Sequence, residues 1–199
     1  MIIDVSIPQG FRGAQVADMV QGDMHTVINY FNTCRYRGFD RTGIAFFGDI
    51  GIGKTHAICG LFNSIATVIG AKGYELSPIF GVITEVELVK HMRDFSKPLV
   101  TYETTLEEYV LYSCRYLLID DVGKRQGESS NTQLQKYPDI LGHVLRERHS
   151  RQLITYITSN QTGDGFRLLY GPSVWSLLNG CAGFRYEVTG DDRRLADGE

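Results

Sequence analysis

Eight consecutive residues have the types and the spacing of a loop that binds phosphate groups. They are Gly48-Asp49-Ile50-Gly51-Ile52-Gly53-Lys54-Thr55, and they match the pattern G-x-x-x-x-G-K-[ST]. Glycines let the backbone wrap closely, so that several N–H groups point at phosphate oxygens. Lys54 would place a positive charge on the β- and γ-phosphates of a nucleotide, and Thr55 would offer its hydroxyl to Mg²⁺. A helix that begins here would direct its positive end at the same anion.

Two carboxylates follow an apolar run later in the chain. Leu117, Leu118 and Ile119 predict a buried strand that ends on Asp120 and Asp121, and open α/β sheets bind ligands at that edge. Asp120 would hold Mg²⁺, directly or through water, and Asp121 would polarise the attacking water as a general base. Two acids at a strand end also occur for structural reasons alone. Their position after a phosphate loop favours the catalytic interpretation.

A polar residue, Asn160, lies at the end of the next predicted strand, directly after Ile157, Thr158 and Ser159. Asn160 could orient water near a γ-phosphate, although the same segment would also suit an ordinary turn from strand to loop. The order of phosphate loop, inserted strand, acidic strand and polar strand favours the functional role. The inserted strand also predicts that the phosphate-loop strand and the acidic strand are not neighbours in the sheet.

Strands that alternate with helices must position these groups. Apolar runs predict strands over 43–47, 79–84, 116–119, 153–158 and 184–188. The intervening segments predict helices over 54–69, 85–95, 106–114, 138–149 and, briefly, 174–178, with irregular chain over 161–170. Residues 2–7 could form a strand, and residues 14–36 have helical spacing. This alternation predicts an α/β fold with a mainly parallel sheet.

Composition excludes several classes of protein. The 199 residues carry 20 Lys and Arg against 23 Asp and Glu, a net charge of −3, which excludes a wholly basic nucleic-acid-binding domain but not a local basic patch. Four scattered cysteines indicate a reducing compartment, and the histidines show no zinc spacing. We see no signal peptide and no apolar run near the ~20 residues of a membrane span, so we expect a cytoplasmic protein without membrane contact.

Together these motifs resemble those of the AAA+ ATPases, and within them the DnaC/IstB-like branch of helicase loaders and transposition ATPases. The resemblance covers most of residues 7–194. It is carried by IPQGFRGA at 7–14, GIAFFGDIGIGKTH at 43–56, LLIDDVG at 117–123, LRERH at 145–149 and ITSN at 157–160, and more weakly by 170–178 and 190–194.

The resemblance implies a three-layer P-loop NTPase fold (ASCE/AAA+) with a five-stranded sheet of order 5-1-4-3-2. It implies an N-terminal extension over 1–38, an ATPase core over 39–190 and a charged tail over 191–199. It assigns catalysis to Lys54, Asp121 and Asn160, with Mg²⁺ held by Thr55 and Asp120. The residues that it assigns to ATP are Gly48, Asp49, Ile50, Gly51, Ile52, Gly53, Lys54, Thr55, His56 and Arg194.

The sequence departs from that branch in one helix. The helix near Trp175 usually carries an arginine that reaches the ATP site of the next subunit, but Ser173 and Leu177 stand there. Arg167 or Arg185 could substitute, or the shared site is incomplete. Loss of such an arginine costs about 10³–10⁵ in rate in related phosphoryl-transfer systems, so slow or partner-dependent hydrolysis is expected.

The resulting hypothesis is a compact helicase loader that acts in DNA replication. It would use ATP to handle a replicative ring helicase and single-stranded DNA, with ATP-dependent self-association. Two alternatives stay open: a regulatory ATP switch that recruits a transposase or another partner with little turnover, and a small-molecule kinase. Because the chain is acidic, contact with DNA must be local, and the candidate residues are Lys124, Arg125, Arg146, Arg148 and Arg151.

Overall fold

Strands and helices alternate along the chain. The computed structural model describes residues 7–16, 26–27, 29–30, 33, 43–71, 79–94, 111–124 and 136–193. A short 3-10 helix, Gln9–Phe11, precedes the main elements, which are β1 (Ile44–Gly48), α1 (Lys54–Ala71), β2 (Phe80–Thr84), α2 (Glu85–Asp94), β3 (Tyr116–Val122), α3 (Lys136–Ser150), β4 (Ile154–Ser159), α4 (Gly163–Cys181) and β5 (Phe184–Val188).

The five strands form one sheet in the order β2-β3-β4-β1-β5, and every neighbouring pair is parallel. This is the predicted order 5-1-4-3-2 read from the other side, so the prediction is confirmed. Strand β4 lies between β1 and β3, with Ile157 paired to Ala45 on one side and to Ile119 on the other. The loops after these three strands therefore meet at one edge of the sheet.

Helices cover both faces of the sheet, because side chains of the buried parallel strands alternate between two apolar cores. Phe46, Leu118 and Tyr156 point towards α1 and form one core with it. Their neighbours Phe47 and Leu117 belong to the other core, which α2, α3 and α4 complete. The structure is thus the predicted three-layer α/β sandwich.

The segment before β1 lies across α1. The side-chain amide of Asn63 donates hydrogen bonds to the carbonyl oxygens of Phe11, Arg12 and Ala14, at 3.1, 3.2 and 2.9 Å. A Cβ at Gly60 would lie 2.9 Å from the carbonyl carbon of Gln15, so the absence of a side chain permits this close approach. These contacts fix part of the predicted N-terminal extension against α1, beside the phosphate loop.

Several predicted elements fall outside the described residues. These are nearly all of the strand at 2–7, most of the helix at 14–36 and the first part of the helix at 106–114. Residues 26, 27, 29, 30, 33 and 111–113 are helical. No helix within the described ranges is long and apolar enough to cross a membrane.

The prediction of irregular chain over 161–170 is wrong, since α4 begins at Gly163. Thr162 caps it: its hydroxyl oxygen accepts a hydrogen bond from the amide of Gly165 at 3.0 Å. A kink at Gly171, with φ 81° and ψ 166°, joins two helical halves, and Pro172 follows it. These glycines and the proline conceal the helical periodicity in the sequence.

Candidate active site

The phosphate loop joins β1 to α1 and has a backbone that glycine alone adopts easily. Gly48, Gly51 and Gly53 have φ values of 127°, 79° and 98°. A Cβ at Gly48 would lie 1.9 Å from the carbonyl oxygen of Val188, and one at Gly51 would lie 1.8 Å from a carboxylate oxygen of Asp192. The loop is therefore packed tightly against the chain that follows β5.

Lys54 turns back over this loop and is buried, with 8% of its surface exposed. Its ammonium group donates to the carbonyl oxygens of Gly48 and Asp49, at 2.9 and 2.6 Å. A third hydrogen bond, 2.9 Å long, reaches the side-chain oxygen of Asn160 at the end of β4. The positive charge is thus held in the centre of the loop, where a phosphate group would enter.

Asp120 lies within reach of two hydroxyl groups. Thr55 donates to its Oδ1 at 2.8 Å, and Thr158 donates to the same oxygen. Burial raises the pKa of Asp120 above its ordinary value, and these two hydrogen bonds oppose that rise. Among the described residues no group of three or more His, Cys, Asp and Glu could hold a metal ion. A cation here would therefore need further ligands, such as phosphate oxygens and water.

Asp121 leaves the regular strand conformation, with φ 56°. The ladder between β3 and β4 is irregular between Ile119 and Val122, which lets the Asp121 amide donate to the Thr158 hydroxyl at 3.0 Å. Its Oδ1 accepts a hydrogen bond from the amide group of Asn160 at 3.2 Å, and its Oδ2 accepts one from the ammonium group of Lys124 at 2.9 Å. Asn160 therefore contacts both Lys54 and Asp121, and the predicted site residues of three strands form one hydrogen-bonded chain.

These groups line a cleft of about 440 Å³. Phe11 and His56 form its outer wall, with ring centroids 6.1 Å apart in an edge-on contact. The lining residues are Phe11, Ile50, Gly51, Gly53, Lys54, Thr55, His56, Asp120, Asp121, Lys124, Asn160 and Arg193. A depression of about 520 Å³ beside β5 and α4 contains none of these residues. The sequence motifs do not identify Phe11 as a site residue, because Phe11 reaches the cleft only through the packing of its segment against α1.

Arg194, which the resemblance assigns to ATP, lies outside the described residues. Its neighbour Arg193 lines the cleft. The Arg193 amide donates to the carbonyl oxygen of Gly51 at 3.2 Å, and its guanidinium group lies 3.4 Å from where a Cβ of Gly53 would be. An arginine of the C-terminal segment therefore does approach the phosphate loop.

One candidate for DNA contact is wrong. Arg148 is fully buried, at 0% exposure, and cannot reach a nucleic acid. Its guanidinium donates to the hydroxyl of Thr155 at 2.9 Å and to the carbonyl oxygens of Leu111 and Ile154 at 2.6 and 2.8 Å. Burial lowers its pKa below the ordinary value. Arg148 therefore joins α3 to β4 and to the helical segment at 111–113.

The other candidates for DNA contact that the structure describes are exposed. Lys124 and Arg146 are exposed, and Arg125 lies outside the described residues. Arg151 is exposed, stacks over Tyr112 at 5.2 Å and pairs with Glu147 at 3.4 Å. Of the four candidates that the structure describes, Lys124 lines the cleft and the other three do not.

The two arginines that could replace the missing one differ in their contacts. Arg185 lies over the ring of Trp175 at 5.2 Å and donates to the side-chain oxygen of Asn179 at 2.6 Å. Arg167 is exposed on α4, as is Ser173. Arg167 thus faces solvent on the helix that the resemblance implies for contact with a neighbouring subunit.

Comparison with solved structures finds the same fold in proteins of DNA replication. A structure of DnaI is 18% identical, covers 94% of each chain and has a TM-score of 0.65. The DnaC helicase loader is 17% identical over 91% of this chain and 99% of that chain, with a TM-score of 0.67. The chain has the fold of DnaI and of the DnaC helicase loader.

Replication initiators have the same fold. Domain III of the Thermotoga maritima initiation protein DnaA is 18% identical, covers 94% of this chain and 70% of that chain, and has a TM-score of 0.63. No protein-family model matches the sequence, and no curated protein matches it. The likeness is therefore one of structure, over nearly the whole length of the loader structures.

Proposed function

We propose that this chain binds ATP together with Mg²⁺ and hydrolyses it slowly. The observation that carries the proposal is the hydrogen-bonded chain from Lys54 through Asn160 to Asp121, at the edge of the sheet where ligands of α/β proteins bind. Two solved structures with this fold are of DnaA bound to AMPPCP, a nucleotide analogue, which supports a nucleotide in the cleft.

The residues present fit a bound nucleotide. Three glycines with positive φ leave room for phosphate groups along the loop, and Lys54 supplies a buried cation. Thr55 and Asp120 offer Mg²⁺ a hydroxyl and a carboxylate, a number of protein ligands that suits a cation bound together with phosphates. Mg²⁺ would neutralise charge on the phosphates. Phe11, Ile50 and His56 provide the less polar wall that a base would contact.

The proposed catalytic roles follow from where these side chains lie in the cleft. Asp121 would accept a proton from the attacking water, and Asn160 would orient that water, because its amide group already contacts the Asp121 carboxylate. Lys54 would stabilise negative charge on the transferred phosphoryl group. We place Arg193 or Arg194 next to the phosphates as a further cation.

We further propose that ATP binding serves DNA replication, as in a helicase loader. The DnaI and DnaC structures resemble this chain over more than nine tenths of both chains, which favours loading over the kinase alternative. The partners would be a replicative ring helicase and single-stranded DNA, with self-association that depends on ATP. The protein would act in the cytoplasm, and it would hydrolyse ATP slowly without a partner.

A pull-down from extract of the native host tests this function. The bait is the wild-type chain with a non-hydrolysable ATP analogue, and the control bait is Lys54→Ala, which should not bind the analogue. A replicative helicase captured by the wild type alone would support loading, and a transposase would support the regulatory switch. Absence of analogue binding to the wild type in a direct titration would overturn the proposal.

A further inference from the structure

Two separate parts of the chain build the wall of the cleft that a base would contact. Ile50 belongs to the phosphate loop and His56 to the first turn of α1, whereas Phe11 comes from the segment before β1. The Phe11 ring meets the His56 ring edge-on, with 6.1 Å between the centroids. Phe11 can therefore contact a bound nucleotide only while its segment is held in place on α1.

Asn63 holds this segment from the middle of α1. Its side-chain NH2 group carries two hydrogens and lies within hydrogen-bond distance of three carbonyl oxygens, those of Phe11, Arg12 and Ala14. The same carbonyl oxygen of Phe11 also accepts from the Ala14 amide at 3.0 Å, and the Phe11 amide donates to the carbonyl oxygen of Pro8 at 2.7 Å. Asn63 thus fixes the backbone of Phe11 itself, within a turn that is already hydrogen-bonded.

Two further contacts support the same placement. Gly60, about one helical turn before Asn63, lets the backbone approach α1, since a Cβ there would lie 2.9 Å from the carbonyl carbon of Gln15 and 3.1 Å from the amide nitrogen of Val16. Ala14 is buried in the core that α1 covers. Asn63 does not line the cleft, so any effect that it has on a nucleotide must pass through this segment.

We propose that Asn63 is a positioning residue for the nucleotide base. It holds Phe11 where the ring can stack on the base, and it thereby sets how much the base adds to the affinity of the phosphate loop. The inference rests on the proposed nucleotide-binding function and adds to it a residue outside the phosphate loop and the acidic strand. Because a purine offers a larger face for stacking than a pyrimidine, the ligand class is a purine nucleotide.

The size of the effects follows from the strength of stacking and of neutral hydrogen bonds. Removal of an aromatic ring that stacks on a base weakens binding about fivefold or more. Loss of the Asn63 donors leaves the ring intact but lowers the fraction of molecules in which it is in place, and the apparent affinity falls with that fraction. A typical hydrogen bond changes such an equilibrium about two- to tenfold.

The experiment measures, by calorimetric titration with Mg²⁺ present, the dissociation constants of a non-hydrolysable ATP analogue and of inorganic tripolyphosphate. Tripolyphosphate can occupy the phosphate loop without a base, so the ratio of the two constants isolates the contribution of the nucleoside. The variants are Asn63→Ala, Asn63→Asp, Phe11→Ala, Phe11→Tyr and the double variant Phe11→Ala/Asn63→Ala. Ser64→Ala is the matched control, because the Ser64 hydroxyl donates within α1, to the carbonyl oxygen of Gly60 at 3.0 Å.

We expect both Asn63 variants to shift the ratio against the ATP analogue about two- to tenfold, since alanine and aspartate both lack the donors. Asparagine and aspartate have the same shape, and the added charge affects both ligands. Phe11→Ala should shift the ratio at least about fivefold. The double variant should match Phe11→Ala, because Asn63 acts through the ring. Phe11→Tyr keeps the ring and Ser64→Ala keeps the contact with the segment, so both should match the wild type.

Three results would overturn the inference. An unchanged ratio in the Asn63 variants, even with an equal loss of affinity for both ligands, would show that Asn63 only supports the fold. An unchanged ratio in Phe11→Ala would show that its ring does not contact the base. Additive losses in the double variant would show that Asn63 does not act through Phe11. If the wild type binds neither ligand, the proposed function fails, which is a separate outcome from these.

Discussion

The ammonium group of Lys54 lies 2.9 Å from the side-chain oxygen of Asn160, 106 residues later in the chain. This hydrogen bond joins the phosphate loop after β1 to the end of β4, which is the strand next to β1 in the sheet. Through its amide group, Asn160 then reaches Asp121 at the end of β3. The group proposed to bind phosphate and the group proposed to activate water are thus connected by one side chain.

Replacement of Lys54 by alanine should remove nucleotide binding. The variant lacks the buried cation of the loop, so the affinity for a fluorescent ATP analogue should fall at least about tenfold. The loop carbonyls that lose their donor lie at the edge of the cleft, so the melting temperature should change by no more than about 4 °C. Equal affinity of wild type and variant in the titration would contradict the phosphate-binding role.

Replacement of Asp121 by asparagine should separate binding from hydrolysis. Asparagine can still accept the hydrogen bond from Asn160 but cannot take a proton from water, so kcat should fall about 10²- to 10⁴-fold. The affinity for the ATP analogue should stay near that of the wild type. Release of phosphate is the measurement, and turnover at the wild-type rate would remove the assignment of Asp121 as base.

A matched pair of arginines on α3 should differ sharply in stability. Arg148→Ala leaves buried carbonyl oxygens of Leu111, Cys114 and Ile154 without their donor, so the free energy of unfolding should fall by about 3 kcal/mol or more. Arg146→Ala removes an exposed side chain and should change it by less than about 0.5 kcal/mol. Urea denaturation of both variants checks this, and similar midpoints would contradict the buried role of Arg148.

Three cysteines should be inert in the folded protein. Burial raises the pKa of Cys59 to about 12 and that of Cys181 to about 11, and it also raises the pKa of Cys114. At pH 8 these thiols stay protonated, so a Cys34→Ser variant should react with a disulfide reagent only after unfolding. Unfolding returns these pKa values to the ordinary range. The buried thiols therefore contribute fully to the free energy of unfolding below about pH 8.5, and this contribution is lost as the pH rises towards 11 to 12. Rapid reaction of the native variant at pH 8 would show that the thiols are accessible.

Much of the fold follows from local sequence patterns. Apolar runs predict the five strands to within about three residues of their ends, because a parallel sheet covered on both faces requires continuous apolar segments. The phosphate loop is equally local, since its glycines are needed for the φ values that the loop adopts. Helix α4 was harder to predict, because Gly163, Gly165 and Gly171 interrupt its pattern while its buried face, with Phe166 and Tyr170, is defined by packing.

The sequence by itself determined which types of side chain form the candidate site and at which edge of the sheet they meet. Motif spacing and strand order placed Lys54, Asp120, Asp121 and Asn160 together, since loops after adjacent parallel strands converge. The tertiary structure alone decided that Arg148 is buried. It also decided that Phe11 reaches the cleft and that Lys124 pairs with Asp121. The physical reason is that burial and pairing of a side chain depend on the segments packed around it, such as Thr155 beside Arg148 and Asn63 beneath residues 11–14.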